Sequence, residues 1–136
     1  MLEIDKVWLA CAIDTDGYIT IKKENKTAKG KKRLYYLVEM GFGNNNKAIV
    51  EKFANLIGKK VYEVNHHYIT RTNNRNVMLN LLTEIYPYLI VKIEYADIIM
   101  AFILHKIKHK GNYRTGKNPR RKDEVYYASL MKVLHQ

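Results

Sequence analysis

The sequence predicts an α+β protein with one four-stranded antiparallel sheet, helices on one of its faces and water on the other. The predicted elements follow the order helix, two strands, helix, two strands, then helices. The strand segments alternate apolar and polar residues, which is typical of an antiparallel sheet with one wet face. The core also repeats one pattern, strand, strand, helix, in each of its halves.

The first helix is predicted over residues 3–14, because its second half is a run of apolar and small residues without a breaker. Residues 14–17, Asp-Thr-Asp-Gly, are poor in a helix interior and favour a boundary. A strand is predicted directly afterwards, over 17–24, where Ile19 and Ile21 alternate with more polar residues. The first helix therefore presents a carboxylate, that of Asp16, where it runs into a strand.

A strongly basic segment separates the first two strands. Residues 22–33 contain seven Lys or Arg and one Glu. They are predicted to form a hairpin loop, and its charge fits either a solvated loop or contacts with nucleic-acid phosphates. The second strand is predicted over 33–42, with one wholly apolar face made by Tyr36, Val38, Met40 and Phe42.

Cap, glycine and proline signals divide the rest of the chain. The predicted elements are a helix over 46–57 after Asn44-Asn45-Asn46, strands over 60–65 and 67–72, a helix after Asn73-Asn74 that Pro87 stops, a long helix over 91–109, a basic loop over 110–121 and a helix over 122–134. We expect residues 1–136 to form a single domain, with its core at about 4–105 and a basic C-terminal loop and helix at 106–136.

The formal net charge of +11 indicates a polyanionic partner. No apolar run approaches the length of a membrane span, and no secretory signal pattern begins the sequence, so we expect an intracellular protein that is neither secreted nor membrane-bound. The single cysteine excludes an intramolecular disulfide and a cysteine-based zinc site.

Residues 9–17, Leu-Ala-Cys-Ala-Ile-Asp-Thr-Asp-Gly, resemble the LAGLIDADG motif of homing endonucleases and related intron-encoded proteins. Cysteine stands where the family usually has its first glycine, and threonine lies between the two aspartates. Residues 85–92 resemble the family's segment that joins its third and fourth core helices. The predicted element order is also that of the family's αββαββα core, so the resemblance covers about residues 4–105 and implies that fold.

The resemblance implies a metal-dependent endonuclease that hydrolyses phosphodiester bonds in both strands of double-stranded DNA at a specific site. One motif per chain implies a homodimer on a long, near-palindromic target, because the family's active site needs two motif helices side by side. It also implies an intron-encoded protein that uses Mg²⁺, for which other divalent cations can substitute. The alternatives are an intron RNA maturase, a relative that binds nucleic acid without cutting it, and a basic ribosomal or chromatin-like protein.

The resemblance also implies roles for individual residues. Asp16 binds the metal, as its carboxylate chemistry also favours, and the Thr15 carbonyl adds a ligand. Lys92 stabilises the charged transition state, and Asn44 orients the attacking water. Asp14 is predicted to be structural. Lys47 lies near a further basic position of the family, and its role stays open.

Strand alternation predicts which side chains contact DNA from the wet face of the sheet. These are Tyr18, Thr20, Lys22 and Glu24 on the first strand, Arg33, Tyr35 and Glu39 on the second, and Glu63 and Arg71 on the second hairpin; Lys29, Lys31 and Lys32 contact DNA from the basic loop. The dimer contact is expected to use Trp8, Cys11, Ala12 and Thr15.

The end of the long helix admits two interpretations. His105 and His109 have the i, i+4 spacing of a zinc pair, but the cations around them favour a basic helix end. Residues 105–122 contain eight Lys or Arg and no acid. We expect this segment to act as a clamp on backbone phosphates.

Overall fold

The computed structural model describes residues 1–109 and 119–135. It contains five α-helices and four strands within these ranges. In chain order they are α1 (Glu3–Thr15), β1 (Gly17–Ala28), β2 (Lys31–Asn44), α2 (Lys47–Ile57), β3 (Tyr62–Val64), β4 (His67–Thr72), α3 (Arg75–Ile85), a 3₁₀ turn (Tyr86–Tyr88), α4 (Ile93–Lys108) and α5 (Pro119–Leu134).

The four strands form one antiparallel sheet in the order β1-β2-β4-β3. Its inner face packs on the helices through the predicted apolar side of β2, Tyr36, Val38, Met40 and Phe42, all of which are buried. The same core takes Leu9 from α1 and Phe53 from α2, whose ring stacks on Phe42 with centroids 4.9 Å apart. The predicted α+β class, with helices on one face of a four-stranded antiparallel sheet, is confirmed.

The basic segment between β1 and β2 is not a long loop. Both strands continue through it, paired from Gly17↔Phe42 to Ala28↔Lys31, and only Lys29 and Gly30 form the turn. Both turn residues have positive φ, 52° and 75°, the conformation that two-residue hairpins require. The prediction of a loop over 22–33 is wrong, because both faces of this ribbon are exposed beyond the helices and the apolar alternation that marks a strand disappears.

The second hairpin turns at Asn65 and His66, which also have positive φ. In an antiparallel pair, residues directly opposite each other lie on the same face. Glu63 pairs with Tyr68, which packs against the core, so Glu63 belongs to the inner face of the sheet. The expectation that Glu63 shares the wet face with Arg71 is therefore wrong.

Side-chain caps set the starts of α2 and α3, as the asparagine signals predict. Asn46 Oδ1 accepts the amide of Ala48 at 3.0 Å, and Asn74 Oδ1 accepts that of Val77 at 3.1 Å. Helix α5 begins at Pro119, three residues before the predicted start. The predicted basic loop lies outside the described residues over 110–118.

Within residues 1–109 and 119–135, none of the helices has both the length and the apolar character needed to cross a membrane.

Candidate functional site

The junction of α1 and β1 is tightly built and presents Asp16. Helix α1 ends at Thr15, whose hydroxyl donates back to the Cys11 carbonyl at 2.8 Å. A Cβ at Gly17 would lie 2.7 Å from the Ile13 Cα, so only glycine allows the strand to begin this close to the helix. As a result the Asp16 side chain is exposed at the end of α1.

Asn44 meets Asp16 from the end of β2. Its Nδ2 donates to Asp16 Oδ2 at 3.4 Å, while its Oδ1 accepts the backbone amide of Asn46 at 2.8 Å. The second bond fixes the orientation of the amide, so that its donor side faces the carboxylate. The two polar residues singled out from distant parts of the sequence are therefore neighbours.

Lys92 reaches the same junction from the segment before α4. Its ammonium donates to the carbonyls of Ile13 at 2.5 Å, Gly17 at 2.9 Å and Asp14 at 3.3 Å. Burial lowers the pKa of Lys92, and the negative charges of Asp14 and Asp16 oppose that shift. The geometry therefore places a positive charge behind Asp16, with its donors already directed at the carbonyls at the end of α1.

Asp14 joins this segment to α1. Its carboxylate accepts three successive backbone amides, those of Ile90 at 2.8 Å, Val91 at 3.2 Å and Lys92 at 2.9 Å. The structural role predicted for Asp14 is confirmed, and the bonds explain why α4 starts at Ile93 rather than at residue 91. Asp14 thereby holds the backbone from which Lys92 extends.

The donor chemistry at the junction suits a hard cation. The Asp16 carboxylate and the Thr15 carbonyl are oxygen ligands of the kind that Mg²⁺ prefers. Among residues 1–109 and 119–135, however, no cluster of three or more His, Cys, Asp or Glu side chains is placed to hold a metal ion. Asp16 and Thr15 therefore fit a metal ion for which further ligands come from outside this pair.

Among the described residues, the two histidines of α4 also belong to no such cluster. The rings of His105 and His109 lie with centroids 4.3 Å apart, and His105 faces Asp123 of α5 at 3.3 Å, without forming a metal-binding group. Lys106, counted in the predicted phosphate clamp, is only 6% exposed; it donates to the Tyr36 carbonyl and pairs with Glu124. Its place in the clamp is therefore wrong, because its ammonium is directed into the protein.

On the outer face of the sheet, a buried carboxylate organises two of the predicted DNA-contacting side chains. Glu39 is 8% exposed, and it accepts the Tyr18 hydroxyl at 2.7 Å and pairs with Lys22 at 2.8 Å. The phenol lies across Gly41, where a Cβ would come within 2.5 Å of its oxygen. Burial, followed by the hydrogen bond and charge of Glu39, raises the pKa of Tyr18 well above its ordinary value, while the Arg71 charge acts in the opposite direction.

The strand registers place most of the predicted DNA-contacting residues on this outer face. They are Tyr18, Thr20, Lys22 and Glu24 of β1, Tyr35 and Glu39 of β2, and Arg71 of β4. Lys29 lies in the turn, and Lys31 and Lys32 are exposed beside it. The side chain of Arg33, and those of the clamp residues Lys110, Arg114, Lys117, Arg120, Arg121 and Lys122, lie outside the described residues.

Four residues of α1 were predicted at a dimer contact. Cys11 and Thr15 are exposed, while Trp8 is partly covered by its contact with Phe42. Ala12 is buried in the core of its own chain and offers little surface, so its part in a dimer contact stays a prediction. The prediction missed Ile4 and Val7, which are 73% and 46% exposed. Ile4 and Val7 are three residues apart and Val7 and Cys11 are four apart, and this helical spacing is a signal that could have identified them.

The comparisons with known proteins rest on structure. No protein-family model matches the sequence, and no curated protein is significantly similar to it. The homing endonuclease I-CvuI superimposes with a TM-score of 0.81 at 17% identity over 97% of this chain and 82% of its own.

Two further solved structures show the same likeness. The archaeal intron-encoded homing endonuclease I-Vdi141I, solved with DNA, gives a TM-score of 0.77 at 13% identity over 97% of this chain and 84% of its own. The LAGLIDADG homing endonuclease I-GzeII, solved with its DNA target, gives 0.73 at 11% identity over 94% of this chain and only 45% of its own. The chain therefore has the fold of the LAGLIDADG homing endonucleases.

Proposed function

We propose that this chain is a site-specific, intron-encoded endonuclease that cuts both strands of double-stranded DNA. The observation that carries the proposal is the meeting of Asp16, Asn44 and Lys92 at one junction, from three separate parts of the chain. The charge of +11 and the exposed outer face of the sheet support a DNA partner. The structurally similar proteins I-CvuI and I-Vdi141I, both solved on DNA, support the same partner.

The active form is proposed to be a homodimer that pairs two α1 helices about a two-fold axis. Its contact face comprises Ile4, Val7, Cys11 and Thr15, whose exposure leaves them available to a second copy. Isologous pairing brings the two copies of each residue together near the axis. It therefore brings two Asp16 carboxylates together. The DNA site proposed for such a symmetric dimer is long and near-palindromic.

Mg²⁺ is the proposed cofactor, with other divalent cations able to substitute. The Asp16 carboxylates and Thr15 carbonyls of both protomers would hold it. When bound, divalent ions lower the pKa of water and stabilise the leaving oxygen of a phosphodiester. Lys92 adds positive charge behind Asp16, which lowers the cost of bringing the anionic phosphate to the junction, and Asn44 orients the water through its amide. Asp14 positions Lys92.

The outer face of the sheet is the proposed DNA-reading surface. A two-stranded ribbon such as β1 and β2 fits the major groove. Because Glu39 holds both Tyr18 and Lys22, these two side chains can meet base edges in one fixed arrangement, which favours sequence discrimination. The exposed cations at the β1–β2 turn are placed for phosphates, which adds affinity without sequence preference.

The test is to incubate the purified protein with Mg²⁺ and a plasmid that joins the two sequences flanking its own gene. The wild type is expected to linearise the plasmid, and Asp16→Asn to bind it with similar affinity without cutting. Asp5→Asn, at the other end of α1, is the matched control and should cut normally. A wild type that binds this DNA without cutting it would refute the proposal; specific binding of the flanking RNA instead would favour a maturase.

A further inference from the structure

We propose that His67 is a further catalytic residue of this junction, with its Nε2 placed to accept a proton from the attacking water. The inference rests on the proposed function, because it assigns a base to that reaction. The observation behind it is that Asp16 and His67 line one concavity of the outer face, with the imidazole lying over Gly43.

The sheet registers bring the two side chains together. Asp16 precedes the first pair of the β1–β2 ladder, Gly17↔Phe42, and so lies next to the end of β2 that holds Gly43. The pair Gly43↔Ile69 places His67 diagonally across from this glycine on the outer face. The His67 ring leans over the glycine, since Nε2 lies 2.7 Å from the position that a Cβ at Gly43 would take. A larger residue at 43 would displace the imidazole.

The same residues line a concavity in the outer face. Its volume is about 270 Å³, and Asp16, His67, Tyr18 and Arg71 contribute its charged and titratable groups. A space of this size with a carboxylate, an imidazole and a guanidinium around it suits a phosphate and a water molecule. The neighbour across β3 adds no charge here, because Val64 pairs with His67 and Glu63 belongs to the inner face.

One hydrogen bond sets the tautomer of the ring. His67 Nδ1 lies 2.9 Å from Asn45 Oδ1, and an amide oxygen can only accept, so Nδ1 carries the proton. The neutral imidazole then has its lone pair on Nε2, the nitrogen over Gly43. Asn44 and Asn45 thus orient Asp16 and His67 from adjacent positions of the chain.

The proposed step is a hydrolytic displacement at phosphorus. A water oxygen forms a bond to phosphorus while one of its protons passes to His67 Nε2. The bond from phosphorus to the leaving deoxyribose oxygen breaks, and that oxygen takes a proton from solvent. The imidazolium returns its proton to solvent, so the protein is unchanged at the end of the cycle.

The first test is the single-turnover rate of cleavage by the wild type and by His67→Gln, which keeps a polar side chain of similar size but cannot accept the proton. The variant should be slower than the wild type by about a hundredfold. DNA affinity should not change. His66→Gln is the matched control, since His66 lies in the adjacent turn, and it should behave as the wild type.

The second test needs no cleavage. Nitrogen-15 NMR of the free protein should find the His67 ring protonated at Nδ1, and Asn45→Ala should shift it towards the Nε2-protonated form. A ring protonated at Nε2 in the wild type would overturn the inference, as would a His67→Gln enzyme with the cleavage rate of the wild type. Those outcomes leave the proposed nuclease intact. A wild type that binds but never cuts refutes the nuclease, and the base role with it.

Discussion

Asp14→Ala should be among the most destabilising substitutions of a partly exposed residue in this chain. The change removes a carboxylate that accepts three backbone amides, from Ile90, Val91 and Lys92, at 2.8, 3.2 and 2.9 Å. Each hydrogen bond contributes about 1 kcal/mol net, because the exposed amides can recover water when the acceptor is lost, so the expected loss is about 3 kcal/mol. For a domain of this size that corresponds to a fall in Tm of roughly 10 °C.

The control for this prediction lies on the same helix. Asp5 makes one surface ion pair, with Lys52 at 3.5 Å, and Asp5→Ala should cost about 1 kcal/mol or less. Both variants would be compared by urea unfolding at one fixed protomer concentration, because association would otherwise change the apparent stability. Equal losses in the two variants would mean that the three amides do not depend on Asp14.

Three further predictions follow from the same structure. Cys11→Arg should abolish dimerisation in sedimentation, because it places a bulky charge in the proposed helix pairing; a dimeric variant would contradict that face. Replacing Lys29, Lys31 and Lys32 with Ala should make the slope of log affinity against log salt shallower by up to about three, and an unchanged slope would place the turn away from phosphates. The raised pKa of Tyr18 contributes stability that is present below the unfolded value, about 10, and is lost as the pH rises above it. Tyr18→Phe should therefore lose less stability than the wild type between about pH 9 and 11, and parallel losses would refute this assignment.

The fold and the core of the junction could be predicted because their signals are local. Apolar alternation identified the buried face of β2, and asparagine side chains identified the starts of α2 and α3. The motif around Asp16 and the resemblance of the segment before α4 selected residues that the structure brings together. Each of these patterns depends on neighbours within a few turns or strand residues.

The errors occur where the outcome depends on pairing between distant segments. The length of the β1–β2 ribbon is decided by cross-strand pairing, which continues after the apolar alternation has ended. A one-residue difference in the second hairpin sends Glu63 to the inner face. Lys106 looked like part of a charged run, and only the packing of α5 and β2 shows that its ammonium is buried.

The proposed role of His67 also depends on pairing between distant segments of the chain. Its position near Asp16 depends on two strand registers and on the missing side chain of Gly43. None of these is visible as a motif, and in the sequence this histidine is only the first residue of the strand predicted over 67–72. A residue of this kind becomes a candidate only when the sheet is assembled.

The central claim is that cutting requires Asp16 from two protomers, and mixing wild-type protein with Asp16→Asn tests it most directly. The two proteins would be unfolded together, refolded at varied ratios and fixed total concentration, and assayed for double-strand cutting. With random pairing, an equal mixture contains about one quarter wild-type homodimer, so cutting should fall to about one quarter of the wild-type rate, with the square of the wild-type fraction. Activity that instead falls in simple proportion to that fraction would show that one chain cuts alone and would contradict the shared site.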